Sequence, residues 1–280
     1  MSLHVESIGS GEPLLLIHGW GMHGGVWADV AQKLAADFRV HSVDLPGHGY
    51  SSPGGEGGAE QALSLTLSRT RERELDSMVR ELSANFDEPL NVCGWSLGGQ
   101  VALHWAKCEP EKVKRLVLVA STPCFAERRD WLFGMASTVL EKFAADLEQD
   151  HAATLRRFIA LQLRGSENER ELLALLRGRL FSRGEPDMGA LRGGLDILRD
   201  ADLRAGLPEI VQPTLLIAGE RDRLTPPGAL RYMAQVMPSA RLVEVKGAAH
   251  APFLSHPEIV VAAINEFLKG GPQITQIDAD

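Results

Sequence analysis

The stretch Leu90-Asn91-Val92-Cys93-Gly94-Trp95-Ser96-Leu97-Gly98-Gly99 decides how the rest of the chain is read. Apolar and β-branched residues lead into Gly-x-Ser-x-Gly, and behind it Leu97, Val101, Trp105 and Cys108 recur at helical spacing. The pattern predicts a strand, a sharp turn and a helix. A serine at such a bend takes a strained backbone conformation that lifts its hydroxyl above the carboxyl edge of a parallel sheet, and flanking glycines keep side chains out of the corner. The motif alone is short and occurs in ordinary loops. The strand before it and the helix after it make Ser96 a candidate nucleophile.

A serine hydroxyl is a weak nucleophile near neutrality, so a base must take its proton and a carboxylate must orient that base. Downstream, Pro213-Thr214-Leu215-Leu216-Ile217-Ala218-Gly219 reads as a buried strand running into Glu220-Arg221-Asp222. Asp222 is the candidate orienting acid, with Glu220 as the alternative. A second strand, Ala240 to Val245, leads through small residues to His250, the candidate base. His256, before Pro257 at a helix start, is the alternative base, while His104 in the helix after Ser96 reads as a packing or surface residue.

The chain order Ser96, Asp222, His250, each in a loop after a strand, is that of an α/β-hydrolase fold. Strand and helix patterns alternate from the amino terminus to about Ser121 and again from about Val211 to Lys269, predicting a mostly parallel, doubly wound sheet. Between them lie mostly helix formers. The expected division is a core of residues 1–123 and 208–269, with a helical cap over Ser96 at 124–207. Two stretches read as loose, Ser52 to Arg71, which contains Pro53-Gly54-Gly55-Glu56-Gly57-Gly58, and a tail of residues 270–280.

Acyl transfer also needs donors aimed at an oxyanion, and backbone amides are fixed before reaction begins. The amide of Leu97 should supply one. The amide of Trp20, in the turn His18-Gly19-Trp20-Gly21 after the strand Leu14 to Ile17, should supply the other, with the Trp20 ring lining the acyl pocket. The same loop carries Gly19-x-Gly21-x-x-Gly24 followed by Asp44, which is literally a dinucleotide fingerprint. However, bulky Trp20, Met22 and His23 occupy positions where a backbone should approach a pyrophosphate. A nicotinamide-dependent oxidoreductase would also leave Ser96, Asp222 and His250 unexplained.

The 280 residues, 44% of them hydrophobic, can bury a large core, and the net charge of −8 argues against nucleic acid as a partner. No segment is long and apolar enough to span a membrane, and no secretory signal is evident. Cys93, Cys108 and Cys124 are odd in number and lack metal-ligand spacing, so they read as reduced thiols of a cytoplasmic protein without metal or cofactor.

The chain resembles the BioH-type pimeloyl-[acyl-carrier protein] methyl ester esterases of biotin synthesis. The resemblance covers nearly the whole length. It is carried by His18-Gly19-Trp20-Gly21, Gly94-Trp95-Ser96-Leu97-Gly98-Gly99, Ala120 to Phe125, Arg157-Phe158-Ile159-Ala160-Leu161-Gln162, Gly193 to Leu198 with Asp202-Leu203-Arg204, and Ala248-Ala249-His250-Ala251-Pro252-Phe253. It implies a carboxylesterase that removes the methyl group from a pimeloyl chain held on acyl-carrier protein. It also implies a triad of Ser96, Asp222 and His250, and substrate contacts at Trp20, Leu97, Phe158, Ile159, Ala160, Leu161 and Gln162. The family's carrier protein is acidic, so a local basic patch on this acidic chain would be needed to steer it. Arg156, Arg157 and Arg170 are the docking candidates. Ala153 and Ala174 stand where relatives can carry arginine, and the stretch Ser52 to Arg71 is longer than expected for the family.

Serine hydrolases of other specificity share the fold and triad, including short-chain carboxylesterases and carbon–carbon bond hydrolases. A non-catalytic ligand receptor on the same fold is a further alternative.

Overall fold

The computed structural model describes residues 2–53 and 67–270, with residues 67–73 described by backbone alone. Seven strands form one sheet: β1 (Val5–Ile8), β2 (Glu12–Ile17), β3 (Phe38–Val43), β4 (Leu90–Trp95), β5 (Val113–Val119), β6 (Thr214–Gly219) and β7 (Ala240–Val245). Their spatial order is β1-β3-β2-β4-β5-β6-β7. Only β1 runs antiparallel, pairing with β3. The rest are parallel, which requires crossovers that cover both faces. The central strands accordingly lack polar alternation: Leu14 to Ile17 and Leu116 to Val119 are fully buried on both sides.

Helices α1 (Ala28–Leu34), α2 (Leu67–Asn85), α3 (Leu97–Cys108), α8 (Pro227–Val236), the short α9 (Pro252–Ser255) and α10 (Pro257–Leu268) supply the crossovers and the carboxyl-terminal cover. α1 packs on α10, and α2 on α3. Between β5 and β6 the chain leaves the sheet and makes α4 (Ser137–Gln149), α5 (His151–Leu163), α6 (Glu169–Leu180) and α7 (Met188–Asp200). Aspartates start two of them. The Asp150 carboxylate accepts the Ala153 amide at 2.9 Å, and that of Asp187 accepts the Ala190 amide at 3.0 Å, each satisfying an orphan donor of the first turn.

This helical insert is pinned to the loops at the carboxyl ends of β2 and β3. The Trp20 indole Nε1 donates to the Leu191 carbonyl at 2.9 Å, His23 Nε2 meets the Arg179 carbonyl at 2.7 Å, and Arg183 bridges Asp44 at 3.1 Å and Glu6 at 2.5 Å. Burial alone would raise the Asp44 carboxyl, but the Tyr50 and Gly24 amides and the Arg183 guanidinium hold it below the ordinary carboxylate range.

The loose reading of Ser52 to Arg71 needs correction at its end, because α2 already begins at Leu67. No glycine or proline interrupts Leu67 to Asn85, and residues of good helix propensity fill it. Residues 54–66 of that stretch, and the expected tail beyond Gly270, lie outside the described residues. Cys108 also differs from the other cysteines: Cys93 and Cys124 are buried, but Cys108 is exposed at the end of α3.

Candidate active site

β4 ends at Trp95 and α3 begins at Leu97, leaving Ser96 alone in the bend with φ 55° and ψ −119°. Such a backbone costs an L-residue roughly 1–3 kcal/mol, which its surroundings must offset. The Ser96 amide donates to the Val119 carbonyl at 3.0 Å, and the Ser96 carbonyl accepts the Ser121 hydroxyl at 2.8 Å and the Gly99 amide at 3.0 Å. Close approach dictates the flanking residues. A Cβ on Gly94 would strike the backbone of Gly98, and one on Gly98 would strike the carbonyls of Ile17 and His18.

Asp222 follows β6 in a tight turn, and its carboxylate is saturated with donors. Oδ1 accepts the amides of Leu224 at 2.8 Å and Thr225 at 3.0 Å, while Oδ2 accepts the Thr225 hydroxyl at 2.6 Å and His250 Nδ1 at 2.8 Å. An ionised carboxylate only accepts, so Nδ1 carries the proton and Nε2 presents its lone pair. That lone pair faces Ser96 Oγ at 2.9 Å. His250 is held from both sides, its amide donating to the Gln162 carbonyl of α5 at 3.0 Å and its carbonyl accepting Trp95 Nε1 at 2.8 Å. The three side chains are thus brought together in the order hydroxyl, imidazole, carboxylate, and all three residues are buried.

The alternatives sit elsewhere. Glu220 Oε2 accepts the Gly247 amide at 2.9 Å, and His256 Nδ1 meets the Ser255 hydroxyl at 2.8 Å at the start of α10. His104 is buried and paired with Asp76.

The loop after β2 brushes the serine, since a Cβ on Gly19 would lie 3.2 Å from Ser96 Cβ. Trp20 is the next residue of that loop. Leu97 opens α3, where an amide has no partner within the helix and the helix dipole is positive. His18 anchors the loop: Nε2 accepts the Leu45 amide at 2.9 Å, so Nδ1 bears the proton and donates to the Gly19 carbonyl at 2.8 Å. Burial, reinforced by neighbouring His48, drives the His18 pKa down to about 3 and keeps the ring neutral. Asp44, the acid of the dinucleotide fingerprint, spends its oxygens on the Gly24 amide at 2.6 Å, the Tyr50 amide at 2.9 Å and Arg183. The fingerprint is a clasp for the loop and the insert.

The Trp20 ring is buried and meets Phe158 edge-on at 4.9 Å between centroids, and Phe158 in turn meets Phe143 at 5.8 Å. Ile159 is buried, and Ala160 and Leu161 are half-buried. Gln162 is buried with its Oε1 lacking a hydrogen-bond partner among the described residues. Arg156, Arg157 and Arg170 are all exposed. Arg156 lies over the Phe181 ring at 5.3 Å, and Arg157 pairs with Asp146 at 3.1 Å. Sequence reasoning missed Thr225, Ser121 and His18 as supports. Asp222-x-x-Thr225, a turn-forming pair, was the one local signal available.

A family model described as the alpha/beta hydrolase fold matches residues 12–257. A pimeloyl-[acyl-carrier protein] methyl ester esterase of Nitrosomonas europaea is 44% identical over 264 residues, covering 94% of this chain and 98% of the relative. The enzyme of the same name from Chromobacterium violaceum is 44% identical over 269 residues, covering 96% and 99%. Among solved structures, an esterase from Exiguobacterium antarcticum superposes with a TM-score of 0.81 at 23% identity over 95% of both chains. A hydrolase from Pseudomonas aeruginosa gives 0.75 at 28% identity, covering 95% and 94%.

Proposed function

The chain belongs to the α/β-hydrolase family, and from that premise we propose that it hydrolyses the methyl ester of a pimeloyl chain on acyl-carrier protein, releasing methanol in biotin synthesis. End-to-end similarity to esterases of that name carries the choice of substrate. The contacts from Asp222 through His250 to Ser96 carry the choice of mechanism.

In this reading neutral His250 takes the Ser96 proton as Oγ attacks the ester carbonyl, and the amides of Trp20 and Leu97 receive the oxyanion. Buried Asp222 stabilises the imidazolium that forms. The imidazolium then protonates the departing methoxide. Water, deprotonated by the same histidine, cleaves the acyl-enzyme and restores the hydroxyl. Residues 124–207 act as the cap. Phe158 to Leu161 border the acyl chain, and Arg156, Arg157 and Arg170 meet the acidic carrier.

Two readouts on one sample test this. Mass spectrometry should show methyl pimeloyl-acyl-carrier protein losing its methyl group, and a serine-directed phosphonate should label Ser96 and stop the reaction. Labelling without demethylation would reject the substrate and keep the mechanism, whereas turnover without labelling at Ser96 would reject the nucleophile.

A further inference from the structure

On the flank of α3 away from its amino terminus, three ligand-type atoms converge that take no part in the esterase site. His104 Nε2 lies 2.7 Å from Asp76 Oδ1 of α2 and 3.5 Å from Cys108 Sγ one helical turn on, and all three atoms lie within 4.8 Å of one another. We propose that Asp76, His104 and Cys108 form a binding site for a thiophilic divalent transition-metal ion of the zinc class, which staples α2 to the helix that carries the nucleophile.

The spacing suits such an ion. Zn–N near 2.0 Å and Zn–S near 2.3 Å at tetrahedral angles put nitrogen and sulfur roughly 3.5 Å apart, and nitrogen and oxygen roughly 3.3 Å apart. The sulfur–nitrogen distance already matches. The carboxylate needs to retreat about half an ångström from the imidazole, and the Asp76 side chain, 40% exposed, has room to do so, while His104, at 8%, stays fixed. Thiolate, imidazole and carboxylate favour zinc or cobalt over magnesium or calcium, which prefer oxygen alone. Exposed Cys108 gives the ion a route in and leaves the fourth coordination position for water. Binding displaces the thiol proton and requires Nε2 unprotonated, so the site would load more tightly as pH rises.

These ligands match neither a paired-cysteine nor a His-Glu-x-x-His pattern. The pair here is His104-x-x-x-Cys108 on one helix face, completed by an aspartate 28 residues earlier on a neighbouring helix.

The test is titration of the reduced full-length protein with Co2+, reading thiolate-to-cobalt charge transfer in the near ultraviolet, followed by displacement with Zn2+. The expected result is a band saturating at one equivalent, its loss on adding Zn2+, and a zinc-dependent rise in melting temperature. Cys108→Ser, at an exposed position, should abolish the band and weaken Zn2+ binding at least about tenfold, as should Asp76→Asn, given that even outer partners of metal ligands cost 10–100-fold. Absence of a saturable band, a band that survives Cys108→Ser, or zinc affinity reduced less than tenfold in either variant would overturn the proposal.

Discussion

The ends of the strands and the helices above them are built on opposite plans. At the strand ends, Asp222 meets four donors, His250 is gripped through both ring nitrogens and both backbone groups, and Ser96 is held in a backbone shape few residues tolerate. Along α4 to α7, by contrast, the charged groups pair at the surface, Arg157 with Asp146 and Arg192 with Glu148, the two arginines 55% and 54% exposed. Exposed pairs of this kind contribute about 0–1 kcal/mol, so they do not hold the insert down. A few buried contacts do: Trp20 on Phe158, Trp20 on Leu191, and Arg183 on Asp44. A saturated, buried network that admits few substitutions is where the proposed function puts chemistry, and a surface that can change without unfolding the protein is where it puts recognition of the carrier-linked substrate.

The comparison breaks most visibly at the nucleophile. Ser96→Ala should lower kcat on the order of 10⁵-fold or more while the melting temperature stays close to wild type, judged by steady-state kinetics and thermal denaturation. Retained turnover would move catalysis out of the strand-end network. Asp222→Asn should cost about 10⁴-fold, because the amide oxygen is claimed by the Leu224 and Thr225 amides, which turns its NH2 toward His250 Nδ1 and selects the wrong tautomer. A loss below about tenfold would show that His250 is oriented by its backbone contacts alone.

On the helical insert, Arg157→Glu together with Arg170→Glu should cut kcat/KM for carrier-linked ester about tenfold, an effect that shrinks with added salt, and leave a short free ester unchanged. Equal losses on both substrates would mean that these arginines support the fold, not docking. The smallest effect concerns acid. His18 titrates near 3 when folded, against 6.5 for the free side chain, and burial also lowers His23, His41 and His48. The unfolded chain therefore binds more protons below about pH 6.5, and stability is lost progressively as pH falls from there toward 3. The melting temperature should drop by several degrees between about pH 7 and about pH 5, and a rise over that interval would contradict the neutral, buried state of these rings.

Much of the sheet was legible because buried parallel strands announce themselves as unbroken apolar runs such as Leu14 to Ile17 and Leu116 to Val119. The three reactive residues were legible for a related reason, since each follows such a run at the edge where its chain turns. The choice between Asp222 and Glu220 was not, because both sit in one polar turn and only the turn's hydrogen bonds select which carboxylate faces His250. Supports such as His18, Ser121 and Arg183 were illegible because their partners lie 25 to 177 residues away, or because, like His18 with Leu45, they bind backbone that any residue supplies. The hold of α5 on the base was hidden in the same way, as it runs through the Gln162 carbonyl.

Whether the inserted helices direct a common buried triad to its substrate is read from the ratio of kcat/KM for methyl pimeloyl-acyl-carrier protein to that for a short free methyl ester. Recognition by the insert should give a ratio of at least about a hundred, since binding energy from the carrier and chain is realised in the transition state. A ratio near or below one would contradict it and leave a general esterase.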